Sequence, residues 1–235
     1  MGAAGKVTLL GQYPGDVTIR ITDASLDPYA RVFAPALSPF ATAVASGTLR
    51  ISGTLANLDN IVARLQVDSL DLKLFDYGLK NDGPIEASLE QGLARIGRLK
   101  LSGVDTQLAV NGNVDVMQGI LGLRAEGEAN LGILQAFLRD IRGAGRAEVI
   151  ADFTGTMEKP QLSGSAMIAG GRLRHMWLPH AIDAINGRVT FTGASVRFDD
   201  VAATIGRGAA RFGGRIGLTG LWPSLLDLTF TGENM

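Results

Sequence analysis

Apolar and polar residues alternate along residues 145–173 with a period of two. Ala147, Val149, Ala151 and Phe153 fall on one side, and Arg146, Glu148, Asp152 and Thr154 mainly on the other. Successive side chains of a strand point to opposite faces, so this is the pattern of a half-buried β-strand. Residues 155–160, GTMEKP, turn the chain, with Gly and Pro as punctuation. Leu162, Ala166 and Ile168 restart the alternation, and Gly170-Gly171 predicts a second turn.

The same period recurs along most of the chain. Ile61, Ala63, Leu65 and Val67 share a face, as do Leu70, Leu72 and Leu74 in a run read as a separate strand. Further strands are predicted over residues 93–102 with Leu99 and Leu101, and over 188–192 with Val189 and Phe191. The ties between runs are short and rich in Gly, Asn and Asp, as at residues 81–84, 103–105 and 111–113. Parallel crossovers need a dozen or more residues, so short ties predict an antiparallel meander.

Two segments break the period. Asp27 and Pro28 read as an N-cap and first helical position for a helix near residues 27–45, broken by Pro35 and Pro39 and resumed over 40–45. Such a helix would plug an end of the sheet or gate a groove. Ile133, Leu134, Phe137, Leu138 and Ile141 are spaced as one helical face, predicting a helix near 131–141 with Gly143 at its C-cap. A further helical turn is predicted over 181–185. The helix, strand and Gly-Thr turn of residues 26–67 then recur at 131–173, as Gly53-Thr54 and Gly155-Thr156. Hairpins at 97–103 and 187–193 also match. The division predicted is a first repeat over 1–117 and a second over 118–235, in one continuous array.

Composition narrows the classes. Hydrophobic residues make up 46%, aromatics 6% and charged residues 19%, so there is apolar surface to hide but few rings to fill a thick core. A net charge of −1 gives no electrostatic footprint for nucleic acid. The absence of Cys excludes disulfides and thiolate metal sites. The Met-Gly start has Lys6 where myristoylation wants Ser or Thr. No signal-peptide pattern and no run of about 18 apolar residues is found, and both ends read as cuts through a longer protein.

No reactive constellation emerges. His175 and His180 are five apart, which fits neither a helical metal pair nor HExxH. Ser163, Ser165 and Ser195 lie in no nucleophile elbow. Residues 206–214 are Gly-rich, but no helix follows to aim N–H groups at a phosphate, so they read as a turn. Asp199 and Asp200 read as a solvated loop. The expectation is a non-enzyme without catalytic residues, metal or cofactor.

Three stretches carry a resemblance: the GT-x-x-P-x-L turn at residues 155–162, GGRL at 170–173, and GRVTFTGASVRFDDVAATIGRGAARFGGRIGLTG at 187–220. The chain resembles the TamB family, the inner-membrane-anchored subunit of the bacterial translocation and assembly module, within the AsmA-like, repeating-β-groove lipid-transfer proteins. The first repeat departs from the pattern, with Asn57-Leu58 where the second has Lys159-Pro160. The resemblance implies a mainly β fold: a curled antiparallel sheet forming a U-shaped apolar groove, with short helices between repeats. It implies a periplasmic internal segment, tethered through an N-terminal helix outside this chain. Its partners would be phospholipid acyl chains and, through a C-terminal part also outside it, an outer-membrane barrel subunit. The implied role is phospholipid conduction between the membranes in support of outer-membrane biogenesis, with Leu65, Val67, Leu72, Leu99, Leu101, Val149, Phe153, Val189 and Phe191 lining the groove. The alternatives are a scaffold for barrel assembly and secretion by strand pairing, and a passive two-layer module. A membrane barrel is disfavoured by only 14 aromatics for its girdles.

Overall fold

A computed structural model describes residues 2–7, 14–27, 41–54, 60–74, 77–136, 140–220 and 222–233. Fifteen strands follow one another: β1 (Gly2–Val7), β2 (Pro14–Ser25), β3 (Ala41–Thr54), β4 (Ile61–Leu74), β5 (Tyr77–Asn81), β6 (Ile85–Glu90), β7 (Leu93–Gly103), β8 (Thr106–Asp115), β9 (Ile120–Asn130), β10 (Ile141–Thr156), β11 (Pro160–His175), β12 (Ile182–Gly193), β13 (Ser195–Ile205), β14 (Gly208–Thr219) and β15 (Trp222–Glu233). All belong to one sheet in which each strand lies antiparallel to its neighbours. The one departure from sequence order is at β5 and β6. Both fill the single position between β4 and β7, β5 beside the end of β4 and β6 beside its beginning. The break between them is Asp82-Gly83-Pro84, where proline offers no N–H to a ladder. The path ends at β1 and β15, which do not pair, so the sheet is open.

The predicted meander is therefore present, while the helices differ. Residues 28–40 of the first predicted helix lie outside the described residues. Its resumption over 40–45 is overturned, because Ala41–Thr54 is strand and Asp27 caps it: Asp27 Oδ1 accepts the Ala43 N–H at 2.8 Å. Of the second predicted helix, Leu131–Ala136 is a six-residue 3-10 segment, and residues 137–139 lie outside the described residues. Ile141 opens β10 and Gly143 lies inside it, because tertiary pairing with Leu173 and His175 overrides a local helical pattern. The turn over 181–185 is likewise strand from Ile182. Among the described residues no helix is long and apolar enough to cross a membrane.

Several predicted turns lie inside strands. Residues 111–113 are mid-β8, and Gly170-Gly171 sits within β11 at a shift of register. The runs at 61–68 and 70–74 are one strand, β4, with an irregularity opposite Ser46/Gly47 that returns Leu70, Leu72 and Leu74 to the face of Leu65 and Val67. Asp199-Asp200 does the same in β13, with Phe198 and Val201 both inward. Only Gly206-Arg207 of the Gly-rich run is a turn; residues from Gly208 are β14. Bulges bend strands and increase twist, which is how a wide sheet curls.

The described strands form a single layer. The surface is 14276 Å² for a 24.7 kDa chain, whereas a compact monomer of that mass exposes about 10,000 Å². Yet Ala147 and Ala151 are only 3% and 4% exposed. Alanines on a flat single layer would be more open to water, so their burial is compatible with a sheet that curls toward the face that carries them. The outward face bears a ladder of exposed ion pairs: Arg124 with Asp152 at 3.2 Å, Arg146 with Asp105 at 3.2 Å, Arg215 with Asp227 at 3.4 Å. Exposed pairs of this kind contribute about 0–1 kcal/mol each and serve mainly to keep that face wet.

One polar node ties an end of the sheet together. The buried Tyr77 hydroxyl donates to the Val104 carbonyl at 2.9 Å and also bonds the Thr106 hydroxyl. Thr106 Oγ1 accepts the Asn130 N–H, and Asn130 Oδ1 accepts the Gly132 N–H, both at 2.8 Å. Ile133 of the 3-10 segment packs on the Leu74, Tyr77 and Leu79 cluster. Burial pushes the Tyr77 phenol above its ordinary value, the Thr106 bond pulls it back, and Asp105 adds to the rise. Tyr77→Phe should therefore cost about 1–3 kcal/mol in urea unfolding. A raised folded value makes the phenol's contribution whole below pH about 10 and lost as pH rises through the folded value. That extra alkaline loss should be missing in Tyr77→Phe.

Candidate apolar groove

Residues paired directly across antiparallel strands share a face. One row runs from Leu65 through Ala87, Ile96 and Leu123 to Phe153 and Leu162. A second joins Leu99 to Val110, Ala125, Ala151 and Phe191, and a third joins Leu101 to Leu108, Val149, Ala166 and Val189. Val67 shares β4 with Leu65, and Leu72 is brought to the same face through Leu79 opposite Gly103. All nine lining residues read from the sequence thus lie on one face. Eight are half-buried. Val189 is 5% exposed and belongs to a packed cluster with Ile185, Val201 and Ala203.

From β4 to β14, the described positions on this face hold no Asp, Glu, Lys or Arg. Along β7 and β8 no apolar side chain on it is fully buried. The face is apolar and uncharged, and it is left partly open in the middle of the sheet. Small residues are interspersed with large ones along its rows. Ala125, Ala151 and Gly164 precede Phe191 on one, and Gly127 and Ala166 flank Val149 on another. The Asp199-Asp200 pair shifts the alternation of β13 by one, which hid in the sequence that Phe198 and Val201 share this face with Phe212 of β14.

Polar chemistry lies elsewhere. A cleft of about 490 Å³ beside the far end of β4 is lined by Asp23, Asp71, Lys73 and Lys80, with Lys80 3.6 Å from Asp71. His175 Nδ1 accepts the Trp177 N–H at 3.2 Å, so it shapes a loop. Asp199 and Asp200 are engaged by Arg197 and Arg211, which raises the Arg211 guanidinium further above its ordinary value. Among the described residues no three of His, Asp and Glu converge as metal ligands. No family model, curated protein or solved structure matches the chain.

Proposed function

We propose that this chain is a segment of a periplasm-spanning groove that conducts phospholipid between the inner and outer membranes and so supports outer-membrane biogenesis. The observation that carries the reading is the charge-free apolar face, only half-buried along β7 and β8. Each methylene hidden from water is worth about 0.8 kcal/mol, so a ~16-carbon acyl chain resists crossing water by roughly 12 kcal/mol. A continuous trough removes most of that barrier without a catalytic group or a cofactor. Strands crossing the groove about 4.8 Å apart would give fourteen positions a length of roughly 60 Å. The resemblance to the TamB family supports the periplasmic setting, the inner-membrane tether and the outer-membrane barrel partner.

A second reading, an assembly scaffold for outer-membrane barrels, is favoured by β15. This strand leaves Leu226 67%, Leu228 48% and Phe230 40% exposed, an apolar strip that could receive another strand. A photo-crosslinking amino acid placed at Phe153 and, separately, at Thr154 distinguishes the possibilities. A conduit should give phospholipid adducts at Phe153 and few at Thr154 on the opposite face. Equal labelling at the two positions, or none, would remove the conduit reading. Peptide adducts confined to β15 would favour the scaffold.

A further inference from the structure

The β11–β12 loop carries three exposed apolar side chains in succession: Met176 at 78%, Trp177 at 82% and Leu178 at 44%. It is not a slack loop. The Leu178 N–H donates to the His175 carbonyl at 3.1 Å and the Met176 N–H to the Asp140 carbonyl at 3.4 Å, while His175 Nδ1 holds the Trp177 N–H. The base of the loop is tied, so the three side chains project together.

Immediately behind them, Arg142 of β10 stands directly opposite Arg174 of β11 on the outward face. Like charges in that position repel, and among the described residues neither arginine has an ion-pair partner, whereas the nearby Arg172 is held by Asp183 at 3.0 Å. The neighbouring β13–β14 turn adds Arg207, with His180 against Gly206. Apolar tip and unpaired cations therefore sit at one end of the sheet. The opposite end also exposes apolar side chains, Met117 and Met157, but beside Asp115 and a Glu158-Lys159 pair, with no opposed arginines behind either among the described residues. A second opposed arginine pair, Arg50–Arg64, lies mid-strand with no apolar tip.

We propose that the Met176–Leu178 tip is a membrane-docking element that inserts into the interface of an anionic phospholipid bilayer while Arg142 and Arg174 engage its phosphates. Trp prefers the interface because its ring is apolar and its N–H is polar. Cations near an anionic surface add to the attraction, and tip residues supply the apolar area. A projecting three-residue tip fits a deformable lipid interface better than the broad, flat patch a protein partner needs.

The test is flotation of the whole chain with vesicles of phosphatidylethanolamine and phosphatidylglycerol, against pure phosphatidylcholine. Binding should require phosphatidylglycerol and weaken with salt. Arg142→Gln with Arg174→Gln should weaken it by about 30-fold, and Trp177→Ala with Met176→Ser by at least about ten-fold. Arg50→Gln with Arg64→Gln should leave it within about two-fold. In a Trp222→Phe background, the Trp177 emission should shift to the blue on binding. No binding to phosphatidylglycerol vesicles, an unshifted Trp177, or equal loss in the Arg50/Arg64 variant would overturn the proposal. Circular dichroism on each variant confirms that the exposed substitutions leave the fold intact. Failure here would leave acyl-chain labelling at Phe153 untouched, so the two ideas fail separately.

Discussion

Gly164→Val is expected to cost about 3–5 kcal/mol, a large part of the stability of a domain this size. Gly164 sits mid-β11 on the apolar face, between Ala151 and Phe191, at φ +126°. A side chain there meets two obstacles. The backbone conformation is one that L-residues rarely adopt, and a Cβ would be driven into the Ile150 carbonyl of the neighbouring strand. A β-branched residue has no rotamer that relieves this. Gly127 in β9 is built the same way, at φ +133° with the Gln107 carbonyl beneath it. These inward glycines bring neighbouring backbones close and kink their strands, the device by which a wide sheet bends. The urea midpoint of Gly164→Val should fall sharply, and Gly164→Ala should fall by less. A Gly164→Ala protein as stable as the parent would mean that the kink is not demanded by the fold.

Much of this fold was legible because its rule is local. Period-two alternation with short ties allows little but an antiparallel meander, and residues such as Leu65, Leu101 and Phe153 declared their face directly. What misled was equally physical. Gly112 and Gly170 resemble turn glycines but serve as kinks or bulges inside strands. Consecutive polar pairs, Asp68-Ser69 and Asp199-Asp200, look like loop ends, yet they are irregularities that keep the next apolar residues facing inward. The helical spacing of residues 131–141 is real, but its described start is a short 3-10 segment whose Ile133 packs on Tyr77 and Leu79, contacts distant in sequence. Which inward residues are packed and which are open, as Val189 is against Val149, depends on how tightly neighbouring rows close, and no pattern along the chain encodes that.

The second large effect follows from that difference. Val201→Asp should abolish folding, whereas Val149→Asp should leave the fold standing. Val201 is 2% exposed within the cluster of Ile185, Val189 and Ala203, and is backed by Phe198 and Phe212. An unpaired carboxylate there has neither water nor partner, and the cost exceeds what a marginally stable domain can absorb. Val149 lies on the same face but is half-buried, between Gly127 and Ala166, with room for water to reach an introduced carboxylate. Its cost should stay near 1–2 kcal/mol. Thermal melts by circular dichroism read both. If Val149→Asp unfolds as completely as Val201→Asp, the face at β10 is ordinary core and is not open.

The most direct measurement is phospholipid per chain, quantified by mass spectrometry on the parent protein, Val149→Asp and Glu148→Lys. Val149 and its neighbour Glu148 differ in face and little else in position. An apolar groove predicts bound phospholipid on the parent, a loss on Val149→Asp with the melt retained, and parent-like lipid on Glu148→Lys. A folded parent free of lipid, or equal lipid on Val149→Asp and Glu148→Lys, would contradict a groove that carries acyl chains.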